Sequence, residues 1–508
     1  MTIAHMKRTV SLLALLSVSG CMVGPNYLRP PPASDPTGDY KEVSGEVNGI
    51  EFRPALPRDT IDRGPWWTMY GDSTLDRLMA DVDVSNQTLK ENEAAFRQAV
   101  ALMRQSQSGL YPTIGYSGSV TQSSGSTSRN TVASSISTSA NSTGQYSVGS
   151  VLSWELDIWG SIRRTIESNA ALAQASAATL ASARLSIQSS LATAYFSLRI
   201  SDERAELYRR SVAAYQQSLN IVQNQVNAGT ASGLDLAQAR TLLEQTRAIY
   251  AAEGANRAVF EHAIAALVGK MPAELRLEVE KTPPDVPTLD AGAPSSLLER
   301  RPDISAVERD MQSANALIGV AVAAYYPQFT FDASITFLST MLSNLLQIAN
   351  AVWSLGPSLA GTLIDGGARA AQVEGARAGY DKAVATYRQT VITAFQQVED
   401  ALAQQRYYKM QEDIQRRAVA SALEAEQLSL NQYQAGTVAY TTVITAQTTA
   451  LSAQQTLINI RLNRFATSAT LVTALGGGWR EQDLPPLMPV MPKTVGKPTP
   501  VQKSWWPF

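Results

Sequence analysis

Few side chains in this 508-residue sequence can make or break bonds. There is one cysteine, Cys21, and there are two histidines, His5 and His262. A single thiol excludes a disulfide within the chain and any zinc site built on CxxC spacing. Glu155 and Asp157 stand close enough in sequence to suggest a general acid and base. They fall where a strand pattern passes into a helix pattern, with no further polar constellation beside them. A solvated collar role therefore suits them better than catalysis. His262 lies in an Ala-rich helical segment and reads as structural. The expectation is a protein that is not an enzyme and needs no metal or cofactor. Its formal net charge of -2, with 17% charged residues, gives no basic footprint for nucleic acid.

Cys21 is notable for its position. Lys7 and Arg8 precede Val10, Leu12, Leu13, Leu15, Leu16 and Val18. A basic start and a short apolar run read as an export signal rather than a membrane span. The run ends at Val18-Ser19-Gly20-Cys21, which resembles the bacterial lipoprotein cleavage box. That resemblance implies cleavage before Cys21 and lipid attachment to it. Met22 in place of Asp resembles the outer-membrane sorting signal. Each acyl methylene buried in lipid adds about 0.8 kcal/mol, so several chains anchor stably. Residues 1–20 thus read as a signal peptide. Residues 21–60, with Gly24-Pro25-Asn26-Tyr27-Leu28-Arg29-Pro30-Pro31-Pro32, read as an extended tether that cannot continue a helix.

The remainder is duplicated. Asn227-Ala228-Gly229-Thr230 recurs as Gln434-Ala435-Gly436-Thr437, 207 positions on, and Gly160-Ser161-Ile162-Arg163 as Gly366-Gly367-Ala368-Arg369, 206 on. The two copies span 61–270 and 304–478, joined by a Pro-rich linker at 271–303 and followed by a Pro-rich tail at 479–508. Each copy opens with a helix, at about 85–110 and 304–325, stopped by Tyr-Pro. Two alternating segments follow. Phe329, Phe331, Ala333, Ile335 and Phe337 alternate with Gln328, Thr330, Asp332, Ser334 and Thr336, as expected of strands with one apolar face. Runs of about 10 residues suffice to cross a bilayer as tilted strands. A helix without Pro or Gly then runs from Ile162 to Ala228. Its apolar stripe steps by four and three through Ile166, Ala170, Ala173, Leu180, Leu191, Leu198, Tyr208, Tyr215 and Val222, broken by Arg184 and Ser201. That period means supercoiled helices packed knobs-into-holes. Each long helix stops at Ala-Gly-Thr, where Gly229 or Gly436 can supply a left-handed cap, and a shorter helix returns.

Four strands cannot close a membrane barrel alone, since at least about eight are needed. Open sheet edges are not tolerated in lipid, so the chain must oligomerise. Three copies would supply about twelve strands on top of a helical tube. Here the sequence resembles the TolC-like outer-membrane efflux proteins, specifically the acylated NodT-type lipoproteins. The resemblance covers about residues 20–480. It rests on Gly24-Pro25-Asn26-Tyr27-Leu28-Arg29-Pro30, Trp66-Trp67-Thr68-Met69-Tyr70-Gly71-Asp72, Trp154-Glu155-Leu156-Asp157-Ile158-Trp159-Gly160, Arg300-Arg301-Pro302-Asp303-Ile304 and Ala474-Leu475-Gly476-Gly477-Gly478-Trp479.

The resemblance implies a mixed α and β membrane protein, a homotrimer with a 12-stranded β-barrel continuous with a long coiled-coil-like periplasmic α-barrel. It implies an outer-membrane channel in a tripartite efflux system. The implied partners are a periplasmic adaptor and an inner-membrane efflux pump, typically of the proton-driven resistance-nodulation-division class. Protein export beside an ATP-driven transporter is the alternative use of such a duct. The resemblance also implies a periplasmic gate after the two Ala-Gly-Thr turns, with Asp235 matching an acidic tip residue and Tyr433 the tyrosine that bonds it. Asp235 near a helix start equally reads as a cap, and the two roles are compatible. Val438 stands where relatives often carry a basic residue, and Thr442 and Thr445 where they carry aspartate rings. Rings of Thr hold no fixed charge, so a less cation-selective tip is expected.

Overall fold

Two helices of 67 residues each dominate the chain, α3 (Ser161–Asn227) and α6 (Ala368–Gln434). At 1.5 Å per residue each is roughly 100 Å long. They are the long helices of the two copies, and they start alike. Asp157 accepts from the backbone N–H of Ile162 at 3.0 Å and of Arg163 at 2.9 Å, and from Arg163 Nε at 3.1 Å. Asp365 accepts from Gly367 N at 3.0 Å, Arg369 N at 3.2 Å and Arg369 Nε at 2.5 Å. Asp157 is thus a helix-capping group, answering donors that the first turn leaves free.

The structure is a computed structural model and describes residues 22–30, 65–125, 141–280, 286–287 and 301–477. Cys21, the signal peptide, most of the 21–60 tether and the 479–508 tail lie outside the described residues. Before α3 come a 3-10 turn (Trp66–Tyr70), α1 (Ser73–Ser85), α2 (Gln87–Ser108), β1 (Thr113–Gly125) and β2 (Asn141–Glu155). After it come α4 (Gly233–Leu267), α5 (Pro302–Ala323), β3 (Gln328–Ser339) and β4 (Ala351–Ala360). The last helix, α7 (Tyr440–Ala474), follows α6. The pairs α2/α5 and α4/α7 match in length, at 22 and 35 residues. The turn and α1 have no counterpart in the second copy among the described residues, and the duplication did not announce them.

The four strands form one antiparallel sheet in the order β1-β2-β3-β4. All helices leave it from one end. Midway along, α3 is buried on every side from Tyr195 to Asp202, as a helix is when neighbours surround it. Phe196 stacks on Phe465 of α7 at 4.4 Å, Tyr70 tilts onto Phe196 at 4.6 Å, and Tyr70 shares a 2.6 Å hydrogen bond with Ser468. The Trp66–Tyr70 turn therefore plugs the wall at its equator. Ser201, a break in the apolar stripe, is buried there and donates to Glu253 of α4 at 2.7 Å. Arg184, the other break, is exposed and pairs with Asp83 at 3.1 Å.

Candidate functional site

The sheet has two unlike faces. Register places Ile114 opposite Leu152, Leu152 opposite Ala333 and Ala333 opposite Leu355. It also sets Ile335 opposite Trp353 and Phe329 opposite Leu359. Ile114, Tyr116, Val120, Trp353, Leu355 and Leu359 are exposed, an apolar face with no protein against it. The opposite face is laced by hydroxyls. Ser119 meets Ser147 at 2.7 Å, Ser153 donates to Asp332 at 2.7 Å, Ser334 meets Ser354 at 2.8 Å and Thr330 meets Ser358 at 2.6 Å. Val151 and Val352 are exceptions, lying in register with this hydroxyl face. An apolar exterior and polar interior define a membrane barrel wall, and among the described residues neither β1 nor β4 has a partner on its outer edge. No described helix is long and apolar enough to cross a membrane. At the foot of the sheet Trp159 stacks on Tyr326 at 4.6 Å and donates to Pro327 O at 2.8 Å, an aromatic pair of the kind found at a lipid–water boundary.

The segment after Cys21 is held rather than loose. Val23 N–H donates to Trp159 O at 3.1 Å. Arg164, 1% exposed, donates to Val23 O at 3.3 Å, Gly24 O at 3.2 Å, Asn26 Oδ1 at 2.9 Å and Glu167 at 2.7 Å. Asn315 of α5 holds Pro25 O at 3.1 Å. Tyr27 and Arg29 both reach Glu308, at 3.2 and 3.4 Å. Gly24 has φ +93°, and a Cβ on it would come within 2.5 Å of Gly319 Cα. A Cβ on Gly319 would in turn meet Arg164 at 2.8 Å. Two glycines thus let the chain pass directly over α5.

At the far end the two Ala-Gly-Thr turns are superimposable in their bonding. Gly229 and Gly436 both have φ +74°. Thr230 N donates to Gln225 O and Thr437 N to Gln432 O, each at 2.9 Å. Their hydroxyls donate to the same carbonyls at 3.0 and 2.9 Å. Threonine is used because its hydroxyl answers a carbonyl the helix end leaves free. Asp235 completes a capping box at the start of α4, accepting from Ser232 N at 3.2 Å while Ser232 Oγ accepts from Asp235 N at 3.2 Å. Tyr433 packs on Tyr440 at 5.0 Å, with Val438 partly buried beside them. The Tyr433 hydroxyl is buried with no hydrogen-bond partner among the described residues. Burial raises its pKa, with the nearby Asp235 charge adding to it, and the same causes with Tyr433 push Tyr440 up to about 12. Within one chain, then, Asp235 is engaged as a cap and does not bond Tyr433. Thr442 and Thr445 are exposed on α7. Asp235→Ala is expected to cost about 1 kcal/mol through the lost cap and to raise single-channel conductance. Tyr433→Phe should raise conductance without loss of stability, since it deletes an unpaired hydroxyl. Unchanged conductance in both would contradict a latch here.

Between the two ends the helices are tied by ion pairs. Glu412 of α6, 2% exposed, accepts from Arg416 at 2.5 Å and from Arg464 of α7. Burial alone would raise its pKa, but the two guanidinium hydrogen bonds and charges outweigh that and hold it below 4.5. A depressed carboxylate contributes stability that is present above its unfolded pKa and lost as pH falls through the folded one. The α6–α7 pairing should therefore weaken below about pH 4.5. In thermal melts across that range, Glu412→Gln should remove this pH-dependent component; an identical pH profile would contradict it. His262 is exposed on α4.

These features have counterparts in known proteins. The family described as outer membrane efflux protein matches residues 78–270 and 293–477. The solvent efflux pump outer membrane protein SrpC of Pseudomonas putida is 31% identical over 93% of this chain and 98% of its own. The cation efflux system protein CusC of Escherichia coli is 28% identical over 92% and 97%. Among solved structures, the outer-membrane channel OprN aligns with a TM-score of 0.79 at 27% identity, covering 90% of this chain and all of that one. A CusC structure aligns at 0.77 and 26%, covering 90% of this chain and 100% of its own. The open sheet edges, the lipid-ready face and the paired long helices are those of one subunit of a trimeric outer-membrane channel that extends into the periplasm. The chain belongs to the outer membrane efflux protein family.

Proposed function

We propose that this channel is the exit duct of a tripartite pump, docked through its periplasmic tip to an adaptor protein and an inner-membrane pump of the proton-driven class. The observation that carries the reading is continuity. Only five residues separate the end of β2 at Glu155 from the start of α3 at Ser161, and seven separate β4 from α6. Whatever enters the helical tube is therefore delivered into the barrel. Small molecules are the cargo, hydrophobic solvents and drugs foremost, in keeping with relatives named for solvent and toluene efflux. The reading asks no catalysis of the chain, and Asp157, one of the two carboxylates that suggested an acid and base, caps a helix. Acylated Cys21 anchors the duct, a reading supported by the hold that Arg164 and Trp159 keep on the segment that follows it. A host lacking this chain should lose tolerance to toluene-like solvents or hydrophobic drugs and regain it on complementation. Unaltered tolerance across both classes would overturn the reading.

A further inference from the structure

One face of α7 stands out beyond the two tip threonines. Thr441, Thr442, Thr445, Thr448, Thr449, Ser452 and Thr456 are all exposed. They share one side of the helix by their three- and four-residue spacing. No charged residue occurs from Tyr440 to Ile460. The opposite side, with Tyr440, Val443, Gln447, Ala450, Leu451 and Ile458, is buried in the wall formed with α3 and α6. Four of these hydroxyls are already engaged. Thr445 donates to Thr441 O at 2.9 Å, Thr448 to Ile444 O at 2.9 Å, Thr449 to Thr445 O at 2.7 Å and Thr456 to Ser452 O at 2.9 Å. A hydroxyl whose hydrogen is held by its own helix presents only lone pairs outward. The face ends where Asn459 accepts from Arg204 of α3. At the tip, the nearby Asp235 is engaged in its capping box.

We propose that the Thr442–Thr456 face lines the lower duct as an uncharged surface of hydrogen-bond acceptors, suited to neutral and cationic organic solutes that bring N–H or O–H donors. It rests on the channel reading and on the tip placement of Thr442 and Thr445. The face runs about 21 Å along the helix. A solute traversing it meets acceptors that replace part of its hydration, without the tight cation binding that a carboxylate ring imposes.

The test uses Thr445→Cys, Thr449→Cys and Thr456→Cys, one at a time, in planar bilayers. Cys21 is the only native cysteine, and the unsubstituted protein is the control. Each variant is treated with a cationic and an anionic methanethiosulfonate reagent. Both are expected to change the conductance of every variant. Their rates should lie within about tenfold of each other, because no fixed charge steers either one. Lanthanide ions should block the native channel weakly and the Thr442→Asp, Thr445→Asp double variant tightly. Three conducting variants insensitive to both reagents would overturn the inference, as would reaction with the cationic reagent alone. No current from the native protein or from the Asp235→Ala and Tyr433→Phe variants would instead overturn the channel reading beneath it.

Discussion

Arg164→Ala is expected to free the Met22–Arg29 segment from the wall. One guanidinium holds two backbone carbonyls, Asn26 and Glu167 from a site 1% exposed. Its loss leaves those acceptors without their donor inside the protein. Removing one member of a buried charged pair typically costs about 3–5 kcal/mol, and an unsatisfied buried acceptor adds to that. Chymotrypsin should then cut after Tyr27, which in the native protein is sequestered against Glu308 at 3.2 Å and packed on α5 and α6. Gly319→Val should give the same cleavage by a different route, since its side chain would enter the space held by Arg164 and Gly24. Arg164→Lys keeps the charge but not the fork, and should fall between. Full resistance of Arg164→Ala and Gly319→Val would contradict a docked anchor segment.

Asp202→Ala should be comparably severe at the equator. Asp202 is 1% exposed and accepts from Arg199 at 3.3 Å, Arg257 at 2.7 Å and the Glu280 N–H at 3.3 Å. Arg199, equally buried, also donates to Tyr195 at 2.9 Å, Glu278 O at 2.7 Å and Glu280 at 3.0 Å. Tyr195 in turn donates to Asp72, the cap of α1. One carboxylate thus joins α3, α4 and the linker segment at 275–280. Its removal leaves two guanidinium groups facing each other, at a cost of about 3–5 kcal/mol. Hydrogen exchange at 277–280 should rise sharply, and the oligomer should dissociate at lower temperature. Replacing the pair together, Arg199→Met with Asp202→Leu, should recover most of the loss. Native exchange and dissociation in Asp202→Ala would show that the network is ornamental.

Periodic features were legible in the sequence because period is what geometry imposes on residues near one another. The 3.5-residue stripe gave α3, the repeat gave its counterpart α6, the two-residue alternation gave the sheet faces, and the Ala-Gly-Thr repeat located both turns. The anchor groove and the equatorial network were not legible. Arg164, Gly24 and Gly319 lie far apart along the chain, as do Asp72, Asp202, Arg257 and Glu280. No spacing rule joins such residues; only the packing of α3 against α4 and α5 does. Ser201 illustrates the boundary, reading as a flaw in an apolar stripe because its partner Glu253 belongs to another helix. At the tip the family resemblance put Asp235 and Tyr433 in the same neighbourhood. It could not show that Asp235 would be occupied by Ser232, which requires the capping geometry itself.

A duct made by closing several copies of this open sheet must carry current. Planar-bilayer recording of the detergent-extracted protein, with Asp235→Ala and Tyr433→Phe recorded alongside to relieve a closed tip, measures this directly. Discrete current steps, larger in the two variants than in the native protein, are predicted. Absence of steps from all three proteins would contradict a channel.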